Sequence, residues 1–254
     1  MSLDRRRALG PYLWGAALFG LLLQLHSVSY LLTGREGEAL MAFFFSSSMG
    51  FVAPVMPLLS ALPFATGFCA DWRSGFAAAA VSRSGKRRYL HSKAAACALS
   101  GALASALGML AFVVFLNLWF PPDWSREPFI GDIEGLETLL LGGGAGAYLK
   151  YYGARLLLAS CSGAFWALSA LAFSAFYPNV PLTLCAPLVL HRLLQELGQA
   201  LLLPPFLDVT LLETGAAGLP PPLTLAAGAI VFGVLCAALW LTFALRAGRR
   251  LRNA

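Results

Sequence analysis

Five stretches of this chain contain no Asp, Glu, Lys or Arg: residues 8–34, 39–70, 94–122, 156–191 and 214–245. A helix needs about 20 apolar residues to cross the hydrocarbon core of a bilayer, and each stretch is long enough. A transmembrane β-barrel would instead show segments of about ten residues with alternating polarity. Text such as "GPYLWGAALFGLLLQLHSVSYLL" does not alternate. The runs therefore predict an all-α polytopic membrane protein. Composition agrees, because only 12% of the residues are charged and 59% are hydrophobic. An ordinary soluble domain carries about twice that charge.

Where the charges fall predicts a topology. Basic residues cluster at Arg5, Arg6 and Arg7, at Arg73, Arg83, Lys86, Arg87, Arg88 and Lys93, and at Arg246, Arg249, Arg250 and Arg252. The positive-inside rule places all three clusters in the cytoplasm, so an even number of crossings separates each pair. Six spans satisfy this, at 12–32, 41–70, 94–120, 156–176, 182–203 and 223–245, within one transmembrane domain over 1–254. Both termini are then cytoplasmic. The fifth span carries His191, Arg192 and Glu196, which lower its hydropathy, but without it the C-terminal arginines land outside. The remaining pieces are a cytoplasmic loop at 71–93, an external loop at 121–155, and a proline-broken apolar segment at 204–222. That last segment is either re-entrant or a loop lying against the membrane. The first apolar run follows three arginines, as in a signal peptide, but it is longer than a signal core and is read as a retained span.

Several function classes fall away. The formal net charge of +6 invites a nucleic-acid reading, yet the bases sit beside spans, where they set orientation. Five cysteines at irregular spacing form neither a disulfide framework nor a metal site. No H-E-x-x-H or G-x-S-x-G motif points to an enzyme. A phosphate-binding loop needs G-x-x-x-x-G-K-[S/T], and the Gly85–Lys86 pair lacks the upstream glycine. No bound cofactor is expected.

Three groups of residues stand out. In the loop, Asp71 is a candidate N-cap, and Trp72, Phe76 and Ala79/Ala80 follow helical spacing. Unaided, that pattern reads as an amphipathic helix on the bilayer surface. In the fifth span, Arg192 and Glu196 are spaced i, i+4 beside His191. They form either a polar patch on a substrate path or a self-satisfied structural pair. In the third span, Ser100, Gly101, Ala104, Ser105 and Gly108 make small-residue ridges, for internal packing or for contact with a second copy. Pro54, Pro57 and Pro63 predict kinks in the second span.

The order of these features carries a resemblance. "PVMPLLSALPFATGFCADWRSG", then "SRSGKRRYLHSK", then "FYPNVPLTLCAP" together resemble the second span, the following cytoplasmic loop and the turn between spans four and five of ABC-2-type transporter permeases. Short six-span bacterial permeases of peptide, bacteriocin or drug export and immunity systems are the nearest in character. The resemblance implies a type V exporter-like fold in the bacterial cytoplasmic membrane, with a coupling helix that docks on a cytoplasmic ATPase. It implies that Asp71, Arg73, Ser74 and Gly75 form the docking end, that Trp72 and Phe76 fill the ATPase groove, and that Arg83, Tyr89 and Lys93 support the return into span three. ATP and Mg would be held by that separate ATPase, and a second permease copy or a sister permease would complete the transporter. The family commonly has Glu where this chain has Asp71. The rival reading is a non-transporting membrane sensor or assembly scaffold, in which the basic loop serves orientation alone.

Overall fold

The cleanest apolar runs fold into the three longest helices. In this computed structural model, which describes residues 9–29, 39–49, 52–120, 135–141 and 144–252, every described element is helical. In chain order these are α1 (Pro11–Ser27), α2 (Ala39–Met49), α3 (Val52–Ala61), α4 (Gly67–Arg73), α5 (Phe76–Ser84) and α6 (Lys86–Trp119). A 3₁₀ turn at Gly135–Leu140 follows, then α7 (Ala145–Phe176), α8 (Val180–Ala200), α9 (Val209–Thr214) and α10 (Pro221–Arg250). Among the described residues α6, α7 and α10 are long and apolar enough to cross a membrane. The expectations for Arg5, Arg6 and Arg7, for the end of the first span and for 121–134 of the external loop lie outside the described residues.

The packing is that of a helix bundle with an apolar exterior. α7 is the most enclosed of the three long helices and α10 the least. α7 packs against α3, α6, α8, α9 and α10. The outward faces carry large apolar side chains, such as Leu118 (78% exposed), Leu149 (75%) and Ile230 (65%). A water-soluble fold would not present so many, and a bilayer accommodates them. Inside, one apolar cluster surrounds Phe64, Phe68, Tyr89 and Phe243, and a second surrounds Phe43, Phe112, Tyr151 and Leu158. A third joins Phe165 and Trp166 to Leu212 and Phe232.

Small residues set the closest contact. A Cβ built on Gly101 of α6 would lie 2.5 Å from the Gly163 carbonyl oxygen of α7, and closer still to the Ala167 Cβ. Gly108 leaves room for the Ala17 carbonyl of α1, 3.3 Å from where its Cβ would be. Ser105 hydrogen-bonds Ser60 of α3 at 2.8 Å. Ser100, Gly101, Ala104, Ser105 and Gly108 are all buried within this one chain. Their side of α6 is therefore covered by α1, α3 and α7.

Helix boundaries depart from the hydropathy reading in three places. The stretch predicted as one span at 41–70 contains α2, α3 and α4 and is broken between α3 and α4 around Pro63, with Pro57 inside α3. Proline supplies no N–H to the ladder, so a long proline-bearing run divides. α6 begins at Lys86, so two turns assigned to the loop are already helix. α7 begins at Ala145, so residues 145–155 belong to the helix and not to an external loop. Charge marks where hydropathy falls, whereas a helix continues as long as its backbone bonds do. The turn expected from "YPNVP" does separate α7 from α8, with Asn179 in extended backbone as the α8 N-cap. In the 204–222 segment, Asp208 caps α9 by accepting from the Thr210 and Leu211 backbone N–H groups at 2.8 and 3.4 Å. Fully buried Leu212 then holds α9 against α7 and α10.

Candidate functional site

The loop residues singled out from sequence divide into two sets. Gly75 (φ +69°) and Gly85 (φ +80°) bound α5, and both adopt the left-handed backbone that favours glycine. The Gly75 turn separates Trp72 from Phe76, so the predicted continuous stripe does not form. Arg73, Ser74, Gly75, Phe76 and Arg83 are exposed, and Phe76 retains 41% of its surface. Ala70, Asp71, Ser74, Gly75, Phe76 and Ala79 line a shallow depression at this end. Trp72 is half-buried against Phe68, with the Arg250 guanidinium 5.6 Å from its ring centroid.

Asp71 is not an N-cap. It lies inside α4, 2% exposed, and its Oδ2 pairs with the Lys93 ammonium at 2.8 Å. The Tyr89 hydroxyl donates to the same oxygen at 3.0 Å. Lys93 is 1% exposed and sits between the rings of Phe64 and Tyr89, 5.0 and 5.7 Å from their centroids. Buried charges are held this way, paired and hydrogen-bonded. The trio clamps α4 onto α6 and positions the exposed α5 between them. Arg250 adds a second tie from α10, donating to the backbone carbonyls of Ala175 and Phe176 at the end of α7.

The α8 residues separate in the same manner. Arg192 and Glu196 form an i, i+4 ion pair of 2.6 Å, but their side chains are 71% and 55% exposed and turn away from the bundle. His191 turns inward, 6% exposed, with its ring 5.4 Å from that of Trp166.

His191 borders a cavity of about 360 Å³ enclosed by α1, α2, α3, α6, α7, α8 and α9. Phe43, Met109 and Phe112 make its apolar wall. The polar lining includes Gln24, Ser105, Ser162, Gln195 and Thr214, and, besides His191, two ionisable groups, Arg155 and Glu213. The Glu213 carboxylate accepts from the Ser162 hydroxyl at 3.1 Å and from the Trp166 indole N–H at 3.3 Å. Arg155 is 5% exposed, its guanidinium 5.5 Å from the Phe43 ring centroid. The α9 C-cap, Gly215 (φ +78°), makes room for Leu136: a Cβ there would come 2.7 Å from the Leu136 side chain, with Arg155 Nη1 in ordinary contact at 3.5 Å.

Sequence reasoning missed Arg155 and Glu213. Arg155 ended a predicted loop, and Glu213 sat in a segment treated as external. A signal for Arg155 was present, because Tyr148, Tyr151, Tyr152 and Arg155 recur at i, i+3, i+4 and i+7 and all four are buried. Among the described residues no group of three or more His, Cys, Asp or Glu converges as a metal site would require. No protein-family model, curated protein or solved structure matches the chain.

Proposed function

We propose that this chain is the membrane-spanning permease subunit of an ATP-binding cassette exporter, moving a peptide, lipid or amphipathic drug outward on the power of a separate ATPase. The observation that carries the reading is a largely apolar cavity bordered by His191, Arg155 and Glu213, among helices whose outer faces are apolar. A charged group amid membrane helices is expensive, and where it faces a cavity it marks a path for cargo. Small-molecule sites have this volume and this mixture of apolar wall and few polar groups.

In this reading the six crossings are α1, the broken series α2–α4, α6, α7, α8 and α10, with α9 re-entrant and both termini cytoplasmic. The exposed residues Arg73, Ser74, Gly75, Phe76 and Arg83 dock on the ATPase. The buried trio Asp71, Tyr89 and Lys93 transmits its push into α6 without touching it. A second permease copy or a sister permease meets the exposed Arg192–Glu196 face, where the pair escapes lipid.

The test is ATP-dependent movement by the chain reconstituted with the ATPase encoded beside it. Phe76→Asp together with Arg83→Glu should release the ATPase while leaving the thermal midpoint unchanged, because both side chains are exposed. A sensor or scaffold would show no ATP-dependent movement. A complex indifferent to both substitutions would remove the docking role.

A further inference from the structure

The cavity's lining names a ligand chemistry. Arg155 is a buried cation whose Nε and Nη1 have no hydrogen-bond partner. Gln24, which borders the same cavity, likewise has an unpartnered Oε1. Both oxygens of the nearby Glu213 carboxylate are engaged elsewhere, Oε1 accepting from Ser162 and Oε2 from Trp166. Guanidinium presents its donors in a planar fork that matches two oxygens of one carboxylate or phosphate. We propose that the cavity binds the acidic group of an amphipathic ligand, a carboxylate or a phosphate, on Arg155, with the ligand's apolar body against Phe43, Met109 and Phe112. A neutral alcohol offers Arg155 one uncharged acceptor in place of two charged ones, and a cationic head group offers none, so both should bind more weakly. That this ligand is the cargo rests on the permease reading; that it binds does not.

The experiment uses the chain alone in phosphatidylcholine nanodiscs, with decanoate, decyl phosphate and decanol as probes, read by tryptophan fluorescence and thermal midpoint. Trp166 reports on the cavity through its bond to Glu213. Decanoate or decyl phosphate should bind at least tenfold more tightly than decanol, and Arg155→Gln should abolish that preference. Arg155→Lys, which keeps the charge but not the fork, should be intermediate, and it supplies the reading where Arg155→Gln fails to fold. If free acids do not bind but phosphatidylglycerol nanodiscs stabilise the native chain more than the Arg155→Gln chain, the acidic group is a bilayer headgroup and the site stands. Equal affinity for decanol and decanoate, unchanged binding in both arginine variants, or no response to any acidic probe would overturn it. Because no ATPase is present, loss of transport with binding intact would refute only the permease reading. Transport without acid binding would refute only this site.

Discussion

The Asp71–Lys93 pair permits a prediction with an internal control. At 2.8 Å and an effective dielectric of about 20, the gross attraction is about 6 kcal/mol, much of it offset by desolvating both ions. Lys93→Met leaves a buried carboxylate that keeps the Tyr89 hydroxyl as donor, and Asp71→Leu leaves a buried ammonium. Removing one partner of such a pair costs about 3–5 kcal/mol, which for a chain of this size lowers the thermal midpoint by about 6–20 °C. The double variant removes both charges of the pair, so it should lose less than the sum of the two singles. The assay is thermal unfolding of the two single variants, the double variant and the native chain in one detergent. The double variant should melt above either single. Additive losses, with the double worse than either single, would refute the account of Asp71 and Lys93 as mutually compensating buried charges.

Other substitutions follow from the same geometry. Gly101→Val should destabilise by about 1–3 kcal/mol or more, because its side chain would meet the Gly163 carbonyl and Ala167; an unchanged thermal midpoint would contradict the packing. Arg250→Ala removes two charge-assisted bonds to the end of α7 and the contact with Trp72, and should cost about 1.5–3 kcal/mol, with faster proteolysis of the α4–α5 segment as the readout.

What the sequence made legible was the part governed by local composition. The uncharged stretches marked α6, α7 and α10 because hydropathy sums over neighbours along the chain. The break at "YPNVP" was legible because proline acts on its own backbone and on the residue before it. The partner of Asp71 was not legible: Lys93 lies 22 positions on, and an acid before a helical stretch carries the same local pattern whether it caps the helix or pairs within it. Arg155 was lost for the opposite reason. A charge after an acidic loop reads as the edge of a span, and only the aromatic stripe of Tyr148, Tyr151 and Tyr152 hinted that the helix had already begun. For Arg192 and Glu196 the i, i+4 spacing was visible, but which side of α8 faces the bundle depends on neighbours that hydropathy does not see.

The contact between Gly101 and Gly163 bears on how such a bundle can move. Between most helices a layer of side chains acts as a compliant gasket, able to change rotamers as the helices shift. Here backbone meets backbone, so α6 and α7 have no such layer and resist sliding past one another. Motion must then occur around this welded pair. α6 and α7 form a mast that also holds α3 and α1 by backbone approaches at Gly101 and Gly108, which leaves α8 and α10 as the parts able to swing about it. In the proposed transport cycle, distance labels placed on α6 and α7 would stay fixed, while labels on α8 or α10 would report the motion.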